Sequence, residues 1–378
     1  MKSLKGLESQ TGWNSELAYR SGAPQEYVFA EGALSELEER LVARKYKRVL
    51  VVHGHASWKA IAAFWPELKE VEATYEPYAG LCSVAEMRRL AEMALDGNYD
   101  ALIGVGGGTL MDAVKGTAHL LSQPYVLIPT LASNCAPWTP ISVIYNEEGV
   151  YTHFDVYEQN ASLLLVDPHV LLTTPKAFFL AGIGDTLAKW YEADVQLRAI
   201  TDRRAALDIS YYAAQLCQSV LLEKSEESIK SLADKEVSSA YCKVVEAIIM
   251  LGGMVGGFGD KYGRIAGAHS IHNGLTALRE THDVLHGDKV AYGILVQLAL
   301  EENWNEIERL IPFYHKVELP TSLVDLGIDV GSADLNAVCE KATIQEESIH
   351  VMPGVISAVD VRKAIDQIEE WNKNRPVW

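Results

Sequence analysis

A chain of 378 residues exceeds one simple core and predicts two domains, and its 48% hydrophobic share is that of an ordinary globular protein. The formal net charge of −18 argues against nucleic acid or an anionic membrane as partner, because both require a basic patch. A small substrate is not excluded, since one local cluster can oppose the global sign.

In chain order, the first half alternates short β-like runs with helical stretches. Candidate strands are 26–30 (EYVFA), 48–53 (RVLVVH), 101–106 (ALIGVG), 125–129 (YVLIP), 142–145 (SVIY) and 163–167 (LLLVD). Stretches such as SVAEMRRLAEMALDG between them carry apolar residues at helical spacing. This alternation predicts a mostly parallel sheet with helices on both faces, an α/β fold of Rossmann-like type. After Asp167-Pro168 the pattern becomes helical with almost no strand signal, and Thr174-Pro175 reads as a helix start. The expected organisation is an α/β dinucleotide-binding domain over 1–174 and an all-α domain over 175–378.

Within the first domain, ALIGVGGGTLMDAVKG runs from strand through a glycine turn into a helix. Gly106, Gly107 and Gly108 leave backbone amides bare just before a helix N-terminus, a suitable cradle for a pyrophosphate. The sequence is neither G-x-G-x-x-G nor a P-loop, so a tight turn that binds nothing is the competing reading. Thr130 and Ser133 follow the next strand's carboxyl end, where α/β sheets place ligands, and this favours the nucleotide.

In the second domain, residues 267–293 hold four of the eleven histidines. A helix over 267–278 would put His269, His272, Asn273 and Thr276 on one face, with His286 at a turn beyond. Asp185, expected at the start of another helix, is a third candidate ligand. Two imidazoles and one carboxylate anchor a divalent cation and leave a position open. The competing readings are hydrogen-bonded core histidines and an i, i+4 pair of Asp185 with Lys189. His282 reads as a surface residue.

The five cysteines (Cys82, Cys135, Cys217, Cys242 and Cys339) form no CxxC pair, which predicts free thiols in a reducing cytoplasm. The first sixteen residues lack the apolar run of a signal peptide. The longest uncharged apolar run found, AIIMLGGMVGGFG, has 13 residues, short of a membrane span. A cytoplasmic protein with no membrane partner is therefore expected.

The motifs GVGGGTLMDAVK, IPTLAS…AP…SVIY, AGIGDTLAKWYEA, AHSIHNGLTAL, LHGDKVAYG and ESIHVMP, in this order, resemble the glycerol dehydrogenase branch of the iron-containing alcohol dehydrogenase superfamily. The resemblance runs from about residue 25 to 370. It implies a dehydroquinate synthase-like architecture, with an active site in the cleft between an N-terminal nucleotide domain and a helical domain. Carried over, the metal ligands fall on Asp185, His269 and His286, and the pyrophosphate loop on Gly106, Gly107 and Gly108 with Asp112 beside it. Thr130, Ser133, Thr139, Ile141 and Tyr145 match positions on the nicotinamide side. His272 is expected to face the reacting centre, as a substrate or proton-relay group. The implied cofactors are NAD or NADP and one divalent metal, zinc or iron ahead of manganese. The implied partners are a small-molecule substrate and further copies of the chain.

Two departures bear on specificity. Glycerol dehydrogenases carry an Asp in STDAP that contacts the polyol, whereas this chain reads SNCAP, with Cys135 at that place and Trp138 following. NCAPWTP, GDTLAKWYEA and GGMVGGFGD look more like a hydroxycarboxylate dehydrogenase-like side branch. Many NAD-dependent members place an Asp after the first nucleotide-domain strand, where this chain has Gly54. The expected activity is reduction of small 2-oxo acids to 2-hydroxy acids, with Cys135 at the substrate. The alternatives are a polyol or broad alcohol dehydrogenase, a dehydroquinate synthase-like lyase, and a non-catalytic binding protein. The lyase reading lacks clustered Lys and Arg for a phosphate substrate, apart from Lys289.

Overall fold

A computed structural model of the chain describes residues 22–373, so the expectation for the first sixteen residues lies outside the described part. The described chain divides into two compact units, one of residues 22–176 with 230–257 and one of 177–229 with 258–373. One limit coincides with the change of character near 175. The helical segment 230–257 packs with the α/β unit: Lys235 donates to the Leu172 carbonyl, and Gly253 lies against the Trp138 ring.

The α/β unit holds eight strands: β1 (Tyr27–Phe29), β2 (Arg48–His53), β3 (Glu72–Pro77), β4 (Ala101–Gly106), β5 (Tyr125–Pro129), β6 (Ile141–Tyr145), β7 (Tyr151–Val156) and β8 (Leu163–Val166). Six form a parallel sheet in the order β1-β8-β5-β4-β2-β3. Its helices are α1 (Leu37–Ala43), α2 (His55–Ile61), α3 (Val84–Gly97), α4 (Gly108–Leu121) and α5 (Pro168–Leu171). The central strands read as continuous apolar runs because both faces are covered. On one face Val49, Val51, Ile103, Val105, Val126 and Ile128 pack with Leu34, Leu37 and Leu41.

Five of the six candidate strands lie in this sheet. The sixth, at 142–145, pairs instead with β7 in a separate antiparallel ribbon, turned at Gly149 with φ +79°. β3 and β7 gave no sequence signal: β3 is a polar edge strand, and β7 is exposed over most of its length.

The remaining helices are α6 (Lys176–Leu197), α7 (Ala205–Asp234), α8 (Ser239–Glu246), α9 (Gly252–Gly259), α10 (Gly267–Leu275), α11 (His286–Leu300), α12 (Trp304–Lys316), α13 (Leu335–Ala342) and α14 (Ala358–Lys373). No strand follows β8 among the described residues. α10 ends three residues earlier than the expected helix, where Thr276 and Ala277 turn the chain toward a 3₁₀ turn at Arg279–Thr281. Ser239–Tyr262 is helical throughout, and by length and composition alone it would reach across a membrane. The 13-residue run therefore understated it, although just over half of its apolar window is buried inside the protein.

Candidate metal centre and nucleotide cradle

The helical unit brings Asp185, His269 and His286 together, with one ligand atom of each lying within 4.8 Å of the others. Asp185 projects from α6, His269 from the first turn of α10, and His286 is the first residue of α11. Helices α6 and α11 meet closely enough for this because of Gly287: a Cβ there would fall 1.8 Å from the Ala181 carbonyl oxygen. Asp185 Oδ1 stands 3.4 Å from His269 Nε2 and 3.6 Å from His286 Nε2. Ligand atoms at 2.0–2.2 Å from a tetrahedral ion stand about 3.3–3.6 Å apart, so the donor set fits a divalent metal.

Hydrogen bonds behind each imidazole present Nε2 to that point. Glu192 is fully buried, accepts the backbone N–H of Ala266 and of His269, and lies 2.6 Å from His269 Nδ1. A carboxylate only accepts, so Nδ1 carries a proton, and a metal at Nε2 would take the place of the ring's second proton. Burial disfavours the charged ring, but the Glu192 carboxylate outweighs it and lifts the His269 pKa to about 9. Burial also opposes the charge of Asp185, yet Lys189 and the two imidazoles hold its pKa well below the carboxylate range.

On the other side, Glu347 accepts the Asn273 amide N–H₂ at 3.0 and 3.1 Å. This turns Asn273 Oδ1 to His272 Nδ1, 2.9 Å away, so that nitrogen is the donor. His272 Nε2 must then accept from His286 Nδ1, at 2.9 Å, and His286 Nε2 is left bare. Burial and the neighbouring His286 push the His272 pKa well below the imidazole value, which agrees with a neutral ring. His272 therefore lies behind a ligand-type histidine with both nitrogens engaged. Glu192 and Glu347 were both missed from sequence. Glu192 had a signal, standing seven residues after Asp185 on one helix face, and Glu347 opens the ESIHVMP motif.

Lys189 Nζ lies 3.2 Å from Asp185 Oδ1, so the i, i+4 pair weighed against the ligand reading is also present. Lys289 is buried and donates to the Thr281 carbonyl at 3.1 Å. Arg264 faces Asp260 at 3.8 Å.

The nucleotide-side residues all lie in the α/β unit. β2 and β4 are neighbours whose onward connections run to opposite sides of the sheet, the arrangement that opens a crevice at the strands' carboxyl ends. Gly54 and Gly106 border it, joined by a bond from Gly54 N–H to the Val105 carbonyl. Gly107 caps α4 in extended conformation, and Gly108 opens it. A Cβ on Gly108 would meet Asn134 Nδ2 at 2.8 Å, so a larger residue there would have to push the Asn134 amide of the SNCAP loop aside. Thr130 Oγ1 is buried with no hydrogen-bond partner among the described residues, as a hydroxyl awaiting a ligand would be. Ser133, Cys135 and Thr139 follow on the same loop, Cys135 half-buried and outside any disulfide. Ile141 and Tyr145 begin and end β6.

Asp112 lies in the first half of α4, beside the cradle. It is buried, accepts the Val143 N–H at 2.9 Å and pairs with Lys115 at 2.8 Å. Lys115 in turn donates to the carbonyls of Ala136 and Thr139. The carboxylate thus braces β6 and the SNCAP loop against α4.

A family model described as iron-containing alcohol dehydrogenase matches residues 24–168. Hydroxycarboxylate dehydrogenase A of Escherichia coli is 36% identical over 353 residues, covering 92% of this chain and 96% of that protein. The chain belongs to the iron-containing alcohol dehydrogenase family. A glycerol dehydrogenase of Thermotoga maritima is 34% identical over 93% of this chain and 97% of its own length. The crystal structure of a probable glycerol dehydrogenase from Sinorhizobium meliloti superposes with a TM-score of 0.84 at 31% identity, covering 95% of this chain and all of that one. The chain is accordingly an NAD(P)-dependent, metal-containing oxidoreductase acting on CH–OH groups, with the dehydroquinate synthase-like fold.

Proposed function

We propose that this dehydrogenase reduces small 2-oxo acids to 2-hydroxy acids, accepts NADPH, and uses a zinc or iron ion held by Asp185, His269 and His286. The observation that carries the substrate class is Cys135. At this place the glycerol dehydrogenases it resembles have a carboxylate that contacts the polyol. A carboxylate there would repel a substrate bearing its own, and like charges about 4 Å apart cost about 4 kcal/mol at a near-surface dielectric. The thiol removes that charge. The name of the Escherichia coli relative, a hydroxycarboxylate dehydrogenase, points the same way.

A divalent metal at this donor set supplies Lewis acidity toward a substrate oxygen. Glu192 and the Glu347–Asn273–His272 chain hold the two imidazoles in the tautomer that binds it. The amides around Gly106–Gly108 and the first turn of α4 hold the pyrophosphate. The Thr130 hydroxyl is available to the nicotinamide side. Gly54 leaves the crevice without the carboxylate that NAD-selective sites aim at the ribose, so a 2′-phosphate meets no repulsion.

The test follows nicotinamide absorbance with the zinc-loaded enzyme. 2-Oxobutanoate should be reduced with NADPH and glycerol oxidised weakly, and Cys135→Asp should lower the 2-oxobutanoate rate. A wild type that prefers glycerol refutes the substrate class. Gly54→Asp should shift preference toward NADH, and a wild type far faster with NADH than NADPH refutes the cofactor reading.

A further inference from the structure

One polar side chain of the SNCAP loop lies on the nucleotide cradle. Asn134 is half-buried, and its carboxamide fills the space that a side chain at Gly108 would take. A Cβ there would stand 2.8 Å from Asn134 Nδ2 and 3.1 Å from Oδ1. Gly108 is the first residue of α4, a helix of 14 residues, and Gly107 before it has no side chain with which to cap the first-turn amides. The carboxamide thus rests against the helix end that offers its N–H groups to a pyrophosphate.

Its two ends are fixed differently. Oδ1 accepts the Ala136 N–H at 3.0 Å. Ala136 is held from α4 as well, its carbonyl accepting from Lys115 Nζ at 2.9 Å. The oxygen must face the Ala136 donor, which leaves the nitrogen as the atom nearest Gly108. Among the described residues the acceptor for Nδ2 is Ser133 Oγ, at the long distance of 3.5 Å. An amide nitrogen carries two N–H bonds, so one still lacks an acceptor. Beside it the buried Thr130 Oγ1 has no partner among the described residues, and the Thr130 N–H donates to the Gly106 carbonyl. Two side-chain donors therefore border the same glycine turn, and an anion with several free oxygens is what both lack.

We propose that Asn134 Nδ2 donates to the cofactor pyrophosphate, and that the same side chain, through Ala136, ties the bound nucleotide to the loop that carries Cys135. This rests on the pyrophosphate reading of the glycine turn and adds the side chain that closes it. The glycerol dehydrogenase motif STDAP has a threonine at this place, whose hydroxyl sits one atom nearer the backbone. Asn134 and Cys135 are neighbouring departures from that motif, the first directed to the cofactor and the second to the substrate.

Calorimetry on zinc-loaded wild type, Asn134→Ala and Asn134→Asp measures NADPH, NADH and ADP-ribose, which all carry the pyrophosphate. Asn134→Asp keeps the shape and the acceptor for the Ala136 N–H but replaces the donor by a negative charge. Asn134→Ala removes the donor and adds no charge. Loss of one hydrogen bond to a charged group should weaken all three ligands about ten- to hundredfold in Asn134→Ala, and further in Asn134→Asp, where like charge is added. Loss in Asn134→Ala alone makes Asn134 a support of the turn and overturns the assignment. Loss in Asn134→Asp alone shows that only charge is felt there and also overturns it, as does wild-type affinity in both. Melting without nucleotide and zinc stoichiometry identify a variant that has lost its fold. In that case the crystal structure of wild type with NADP⁺ decides. Nδ2 within about 3.2 Å of a pyrophosphate oxygen supports the assignment, and a separation beyond about 4 Å overturns it. A wild type that binds neither NADPH nor NADH overturns the pyrophosphate reading as well.

Discussion

At the scale of single residues, the metal centre depends on groups that never touch the metal. Glu192→Gln keeps the shape but lets the amide donate toward His269 Nδ1, so the ring no longer has one preferred tautomer. Zinc affinity should fall about 10- to 100-fold, the usual effect of removing an outer partner of a ligand histidine. Glu347→Gln should act the same way through Asn273 and His272, on His286. Ser322→Ala is the control, since Ser322 lies in the helical unit, bonds Asp325 within its own turn and is not in that chain. Chelator competition with zinc reads all three, and equal affinities for Glu347→Gln and wild type would exclude the relay. The three ligand-type residues were legible in sequence because His and Asp are the natural donors and the motifs are distinctive. The roles of the partners were not, although Glu192 and Glu347 both stand in those motifs, since 74 residues separate Asn273 from Glu347 and a glutamate carries no local mark of what it accepts.

At the scale of elements, two contacts decide the sites. Gly287 lets α11 rest on α6, and Gly287→Ala would drive a Cβ into the Ala181 carbonyl. The helices must part, and His286 with them. The variant should lose most zinc and melt lower than wild type, while Gly327→Ala, at a turn with no atom within 4 Å of the added Cβ, should keep its zinc whatever its stability. Lys115 is the other contact. Lys115→Met leaves Asp112 buried without its counter-ion, and breaking a buried pair in this way costs about 3–5 kcal/mol. Denaturant unfolding should register a loss of that order, and a change below about 1 kcal/mol would show that the brace carries little. Long apolar strands and the helix bearing the histidines were readable because burial on two faces, or on one stripe, imposes a pattern. β3 and β7 were not, because an exposed strand carries little apolar pattern.

For the whole molecule, the chemistry is divided between two units that the sequence separates only in part. A single boundary near 175 cannot express that 230–257 belongs with the α/β unit, because its helical periodicity matches the rest of the second half and only its packing against Trp138 and Leu172 distinguishes it. All three metal donors and both of their supporting carboxylates lie in the helical unit, whereas Gly54, Gly106–Gly108 and Thr130 lie in the other. A ligand that binds only the folded state stabilises it by about 4 kcal/mol at a thousandfold excess over its dissociation constant. Removing zinc should therefore lower the melting temperature of the full chain by several degrees. It should leave the NADPH dissociation constant within about threefold of its metal-loaded value, because the cradle is made of backbone amides and hydroxyls that the metal does not organise. Titration of chelated and zinc-loaded protein with NADPH, followed by quenching of tryptophan fluorescence, measures this directly. A tenfold or greater loss of NADPH affinity on chelation would mean that the metal orders the nucleotide loop. The division of labour drawn from where the residues lie would then be wrong.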